Sequence, residues 1–159
     1  MVTEAMINPD AVIDQQGEWL EIYNTSTISI DIRGFRLSDM GSDSHIITSA
    51  VPVIVPPQSF LVLGRNANES TNGGVRIGYQ YASYTLGNSG DEIILSAFGT
   101  DLDSISYPSN FDQAGISKQK TQSQLDTVDS NGSTLWCAST STMAGGDLGT
   151  PGYENLICP

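Results

Sequence analysis

The sequence predicts an all-β protein, a sandwich of two sheets. Three observations carry this. Apolar segments are short, and about eight of them recur at roughly 8–15-residue intervals. Several alternate with period two, which places every second side chain on the same face of a pleated strand. Gly and Pro number 16 and 7; with Asn, Asp and Ser they stand between the segments, where they suit turns rather than helix interiors.

Residues 2–7 are apolar-rich and are stopped by Asn8-Pro9. Gly17-Glu18-Trp19-Leu20-Glu21-Ile22-Tyr23-Asn24 alternates, with Leu20 and Ile22 pointing one way and Trp19, Glu21 and Tyr23 the other. Asn24-Thr25-Ser26 is a turn. Ile28 and Ile30 lead to a segment in which Phe35 and Leu37 share a face, followed by a polar loop at residues 40–44. His45-Ile46-Ile47 restarts a strand. Residues 51–55 are β-branched but broken by Pro52, which confines them to an edge or an irregular strand. Pro56-Pro57-Gln58-Ser59 turns into Phe60-Leu61-Val62-Leu63-Gly64, an apolar run typical of a strand covered on both faces.

Residues 66–74 form a polar loop, and residues 75–84 carry Tyr79, Tyr81 and Tyr84. Glu92-Ile93-Ile94-Leu95 is another buried strand, and after Gly99-Thr100 residues 102–107 alternate again. Beyond Pro108 the pattern weakens. Residues 116–125 read as one exposed strand and Leu135-Trp136-Cys137 as a last short one. The core is expected from Leu20, Ile22, Phe35, Leu37, Leu61, Leu63, Ile93, Leu95 and Ile105. Each contributes about 1.5–3 kcal/mol when fully buried. At 159 residues the chain suits one domain, here residues 1–159 with a tail from about residue 108.

Charge and composition exclude several function classes. Acidic residues number 18 against 6 basic ones, a net charge of -12. Nucleic-acid affinity rests on Lys and Arg neutralising phosphates, so direct nucleic-acid binding is not expected. No apolar run approaches the ~20 residues of a membrane helix, and Met1 followed by Val-Thr-Glu-Ala-Met does not read as a signal peptide. That leaves two expectations: a cytoplasmic protein, or one whose signal and further domains are not part of this sequence. The two cysteines, Cys137 and Cys158, lie in loop-like sequence with no further ligand to share a metal. A disulfide is the expectation and two unpaired thiols the alternative. A bridge would close a loop of about 20 residues, worth roughly 3 kcal/mol, and would pin a tail with little other reason to stay folded. It also favours a secreted or cell-surface protein.

Four segments in order carry a resemblance. Gly17-Glu18-Trp19-Leu20-Glu21-Ile22-Tyr23-Asn24, Ile32-Arg33-Gly34-Phe35-Arg36-Leu37-Ser38-Asp39, Pro56-Pro57-Gln58-Ser59-Phe60-Leu61-Val62-Leu63-Gly64 and Leu86-Gly87-Asn88-Ser89-Gly90-Asp91-Glu92-Ile93-Ile94-Leu95 are similar to the lamin tail domain in its bacterial form. The match spans roughly residues 2–107. The closing Gly149-Thr150-Pro151-Gly152 with Asn155 resembles the end of many bacterial members. The resemblance implies an immunoglobulin-like β-sandwich without enzyme activity, appended to secreted or surface-attached proteins, including nucleases and other hydrolases. The cysteines and the tail depart from the animal form, so nuclear location is not carried over.

Candidate functional residues are few. Trp19, Tyr23, Tyr79, Tyr81 and Tyr84 are candidates for an exposed aromatic surface that takes a sugar or a peptide, with packing under a loop as the plainer account. Glu21 is expected on the outer face, paired with Arg36 across strands. His45 is the single histidine, and no Gly-x-Ser-x-Gly elbow accompanies it, so no catalytic residue is assigned. Asp129-Ser130-Asn131-Gly132 reads as a turn rather than a calcium loop, because Ala138 stands where the closing Glu belongs. Asp39 and Asp43 are the remaining candidate cation ligands, and no cofactor is implied. The expected role is a non-catalytic extracellular or cell-surface interaction or structural module that meets a protein or polysaccharide surface. The alternative is an accessory domain that positions substrate for a secreted nuclease or other hydrolase.

Overall fold

The structure is a computed structural model that describes residues 1–121 and 136–158. In chain order the elements are β1 (Val2–Met6), α1 (Asp14–Gly17), β2 (Trp19–Tyr23), β3 (Ile30–Asp31), β4 (Arg36–Ser38), β5 (Ser44–Ile46), β6 (Ile54–Val55), β7 (Phe60–Gly64), β8 (Tyr79–Gln80), β9 (Gly90–Ala97), β10 (Thr100–Pro108), β11 (Lys118–Lys120) and β12 (Trp136–Ala138). A six-stranded sheet runs β12-β11-β1-β2-β7-β8 and a four-stranded sheet runs β10-β9-β4-β5. A two-stranded ribbon, β3-β6, stands beside them. The fold is an immunoglobulin-like β-sandwich, as the pattern of short strands predicts.

Register follows the alternation in the sequence. Leu20 stands opposite Ala5 and Leu63, and Ile22 opposite Val2 and Leu61. These side chains meet Leu37, Ile93, Leu95 and Ile105 of the facing sheet in one core. Phe35 and Leu61 are only partly buried at its margin. Val51 is exposed beside the short β6, in keeping with the interruption at Pro52.

The outer face of the six-stranded sheet differs from the sequence-based expectation. Glu21 is expected there as a surface residue but is 0% exposed. Trp19, at 1% exposed, follows the plainer of its two accounts, packing under a covering segment rather than an open aromatic surface. The strand alternates as read; the difference is that a second layer covers it. Trp19, Met6, Val62 and Val75 form a satellite core, against which Ile77 and Met143 pack. Residues 149–155 cover the next part of the face. Gly145 allows this layer to close, because a Cβ there would collide with the backbone of Gly73. Glu21 does not pair with Arg36. The two lie in different sheets, and Arg36 Nε donates to Ser44 Oγ at 2.7 Å instead.

The tail is likewise more than an appendage. Residues 118–120, expected in an exposed strand, sit between β1 and β12, and Gln119 and Lys120 are buried. Gln119 turns to the outer layer, where its Nε2 donates to Leu156 O. Lys120 turns inward, its Nζ 3.9 Å from Asp103 Oδ2 and above the Trp136 ring. Residues 122–125, Asp129-Ser130-Asn131-Gly132 and Leu135 lie outside the described residues. Cys137 and Cys158 form the expected disulfide. It is not the tail's only attachment. The Ser117 N–H donates to Leu148 O, the Leu148 N–H to Gly115 O and the Ser139 N–H to Ser117 O. Asp147 accepts the N–H groups of Asp10 and Ala11, and Thr150, Gly152 and Asn155 are bound to side chains and backbone of β1, β2 and β11.

Candidate functional site

The structure does not gather the five candidate aromatic residues into an exposed surface. Trp19 lies in the satellite core, and Tyr81 and Tyr84 lie in the main core with ring centroids 5.6 Å apart. Tyr23 stacks at a tilt on Phe60, and the Tyr79 hydroxyl is 2.8 Å from His45 Nε2. The reason is topological. β8 pairs parallel with β7, and the chain after it turns into the sandwich, so residues 81 and 84 fill the interior.

Both ring nitrogens of His45 are engaged. Its Nδ1 accepts the Ala82 N–H at 3.3 Å, which makes Nε2 the protonated nitrogen of the neutral ring, and Nε2 donates to Tyr79. Burial lowers its pKa, in keeping with the neutral form. Asp39 and Asp43 are engaged by the protein's own groups: Asp39 Oδ1 accepts the Asp43 N–H within the loop, and Asp43 Oδ2 accepts the hydroxyl of Thr85, in the segment after β8. Among the described residues no three potential metal-ligating side chains come together.

The feature with the dimensions of a binding site lies elsewhere. An apolar cleft of about 490 Å³ opens at one end of the sandwich, between the end of β2, the β3-β6 ribbon and the β9-β10 hairpin. Ile22, Ile32, Val55 and Leu95 form its buried floor, while the partly buried Ile30 and Phe35 and the exposed Leu102 form its walls. Asn24, Thr25 and Asp103 supply polar groups at the margin. Asn24 is immobilised, since its Nδ2 donates to the carbonyls of Ile28, Val55 and Pro56.

Phe98 stands beside Phe35 of the cleft wall. It is 91% exposed, and its ring meets Phe35 edge-on at 6.4 Å. Phe98 and Gly99 occupy the two central positions of the β9-β10 turn with φ of 51° and 82°. Positive φ at both positions is what a type I′ hairpin requires, and Asn or Gly normally supplies it. A phenylalanine there is strained and gains no burial in return. Sequence reading passed over Phe98. A bulky residue before Gly in a two-residue turn between strands is the signal that points to it.

The family model of the Lamin Tail Domain matches residues 1–109. No curated protein and no solved structure matches the chain. The matched residues include every wall of the cleft and Phe98.

Proposed function

The chain belongs to the lamin tail domain family, and on that premise we propose that it is a non-catalytic interaction module of an extracellular or cell-surface protein, which holds a protein partner at the apolar cleft. The strained, exposed Phe98 beside a preformed apolar cleft is the observation that carries this reading. Strain of this kind persists at sites where it serves a use, and a rigid ring beside a pocket is the usual form of an interface anchor.

The partner's chemistry follows from shape and charge. The cleft takes one aliphatic or aromatic side chain. The net charge of -12, with the exposed Asp101 beside Leu102, favours a segment in which Lys and Arg flank that side chain. Trp19, Tyr81 and Tyr84 are buried and supply no ring surface for a polysaccharide, and the apolar cleft is the feature that favours a protein partner over a polysaccharide. The disulfide supports an oxidising, extracellular setting. The lamin tail domain is a non-enzymatic family, and the engagement of both His45 ring nitrogens supports the same reading for this chain.

A short peptide with one Leu between paired lysines tests the proposal. On titration, methyl resonances of Ile22, Ile32, Val55, Leu95 and Leu102 are expected to shift, and the affinity is expected to fall with added salt. A peptide with Asp in place of Lys should bind more weakly. Cleft methyls that stay unmoved at saturating peptide would overturn the reading.

A further inference from the structure

Two buried acids lie side by side beneath the C-terminal segment. Glu4 of β1 and Glu21 of β2 are register partners on the outer face of the six-stranded sheet, and both are excluded from solvent. Glu21 Oε2 accepts the Gly152 N–H at 2.7 Å, and its Oε1 lies 2.8 Å from Thr3 Oγ1, which is also 3.4 Å from the Glu21 carbonyl oxygen. Glu4 has three polar partners among the described residues. Its Oε1 accepts the Thr150 N–H at 2.8 Å and the Ser117 hydroxyl at 2.5 Å. Its Oε2 lies 2.9 Å from Thr150 Oγ1.

The direction of the Thr150 hydroxyl hydrogen decides the charge on Glu4. Thr150 Oγ1 is also 2.7 Å from Asn155 Oδ1. The Asn155 amide has one workable orientation, because its Nδ2 donates to the carbonyls of Thr3 and Lys120, each at 2.9 Å. The flipped amide would set its oxygen against both carbonyls. Oδ1 therefore accepts. Thr150 commits its one hydrogen to Asn155, and the contact with Glu4 takes its hydrogen from the carboxyl group. We propose that Glu4 is a neutral carboxylic acid in the folded protein and that its proton latches residues 139–158 onto the sheet.

Burial favours the same state, holding the Glu4 carboxyl above its usual range. Burial, and then the neighbouring Glu4, push Glu21 up to about 8. A proton on Glu4 also relieves the repulsion between two carboxylates on adjacent strands. The other groups that face the pair are Thr3 of β1, Gln119 of β11, Ser117 before it, and Thr150, Gly152 and Asn155 of the tail, all uncharged. The lysines of β11 are engaged elsewhere: Lys118 with Gln113 and the Phe111 ring, Lys120 with Asp103 and the Trp136 ring.

The sign of the pH dependence follows. The folded state keeps protons that the unfolded chain releases near the ordinary value of 4.5. The latch is therefore strongest in acid and weakens as pH rises from there through about 8, the value for Glu21. Loss of the Glu4 proton leaves two oxygens facing each other with no hydrogen between them, next to a second buried charge.

Glu4→Gln separates the two charge states, because the glutamine amide places N–H groups where the acid places its O–H and keeps the accepting oxygen. The readout is amide hydrogen exchange of Thr150 and Gly152 in the full chain between pH 5 and pH 9, corrected for the intrinsic rate. In the unsubstituted protein, protection is expected to fall about tenfold or more over that range. Glu4→Gln is expected to keep the pH 5 protection of Thr150 at pH 9. Loss of that protection already at pH 5 in a folded Glu4→Gln protein would overturn the proposal. Should Glu4→Gln not fold, the carboxyl ¹³C shift of Glu4 in the unsubstituted protein decides: a protonated shift at pH 6 is expected, and a carboxylate shift there sinks the idea.

Discussion

Phe98 joins a local cost to an exposed surface. A non-glycine residue in the left-handed region costs roughly 1–2 kcal/mol, and at the tip of β9-β10 that cost is not offset by burial. Asn tolerates the same φ and is preferred in type I′ turns. Phe98→Asn is therefore expected to raise stability by about 1 kcal/mol, a rise of roughly 2–4 °C in Tm. The same substitution should weaken the Lys-flanked Leu peptide about tenfold or more. Thermal melts and peptide titration measure the two effects. A stabilised variant with unchanged affinity would remove Phe98 from the interface. His45 illustrates the opposite case, a residue with catalytic potential whose two ring nitrogens are used to join β5 to β8 and the loop after it.

At the scale of elements, the tail is tied to the sheet by three independent means. The disulfide joins Cys158 to Cys137 in β12, backbone bonds join residues 139 and 148 to residues 115–117, and the outer layer joins Thr150, Gly152 and Asn155 to β1, β2 and β11. The chain-entropy model assigns roughly 3 kcal/mol to a bridge of this loop length. The double substitution Cys137→Ser with Cys158→Ser is expected to lower stability by up to about that amount, and to leave residues 148–155 docked at pH 5. Denaturant unfolding gives the first quantity, and amide exchange at Leu148 and Thr150 the second. Exchange at solvent rates in the double variant would show that the bridge alone holds the tail.

Across the whole molecule the basic residues are dispersed, and most are engaged. Arg33 pairs with Asp31, Arg65 with Glu18 and the buried Lys120 with Asp103, while Arg36 is bonded to Ser44. With a net charge of -12, the protein is poorly suited to meet a run of phosphates. The chain is expected to show no binding to duplex DNA at physiological salt. Filter binding across a salt series checks this; micromolar binding that weakens steeply with salt would contradict it.

The sequence alone determined the fold class and the inner face of each sheet. Period-two alternation is local, and Leu20, Ile22, Leu63, Ile93 and Leu95 can point only one way once their strands form. The disulfide was legible for a similar reason, since only two cysteines are available to pair. What covers the other face was decided by tertiary structure. Trp19 and Glu21 alternate as surface residues do, and they are buried because residues 75–77, 143 and 149–155, distant in sequence, return over them. The charge on Glu4 depends on the orientation of Asn155, fixed by the carbonyls of Thr3 and Lys120. The cleft has the same origin, being the gap left where the ends of two sheets and a ribbon meet. Alternation reports which way a side chain points; only the packed chain decides whether it meets water, a second layer or an empty cleft.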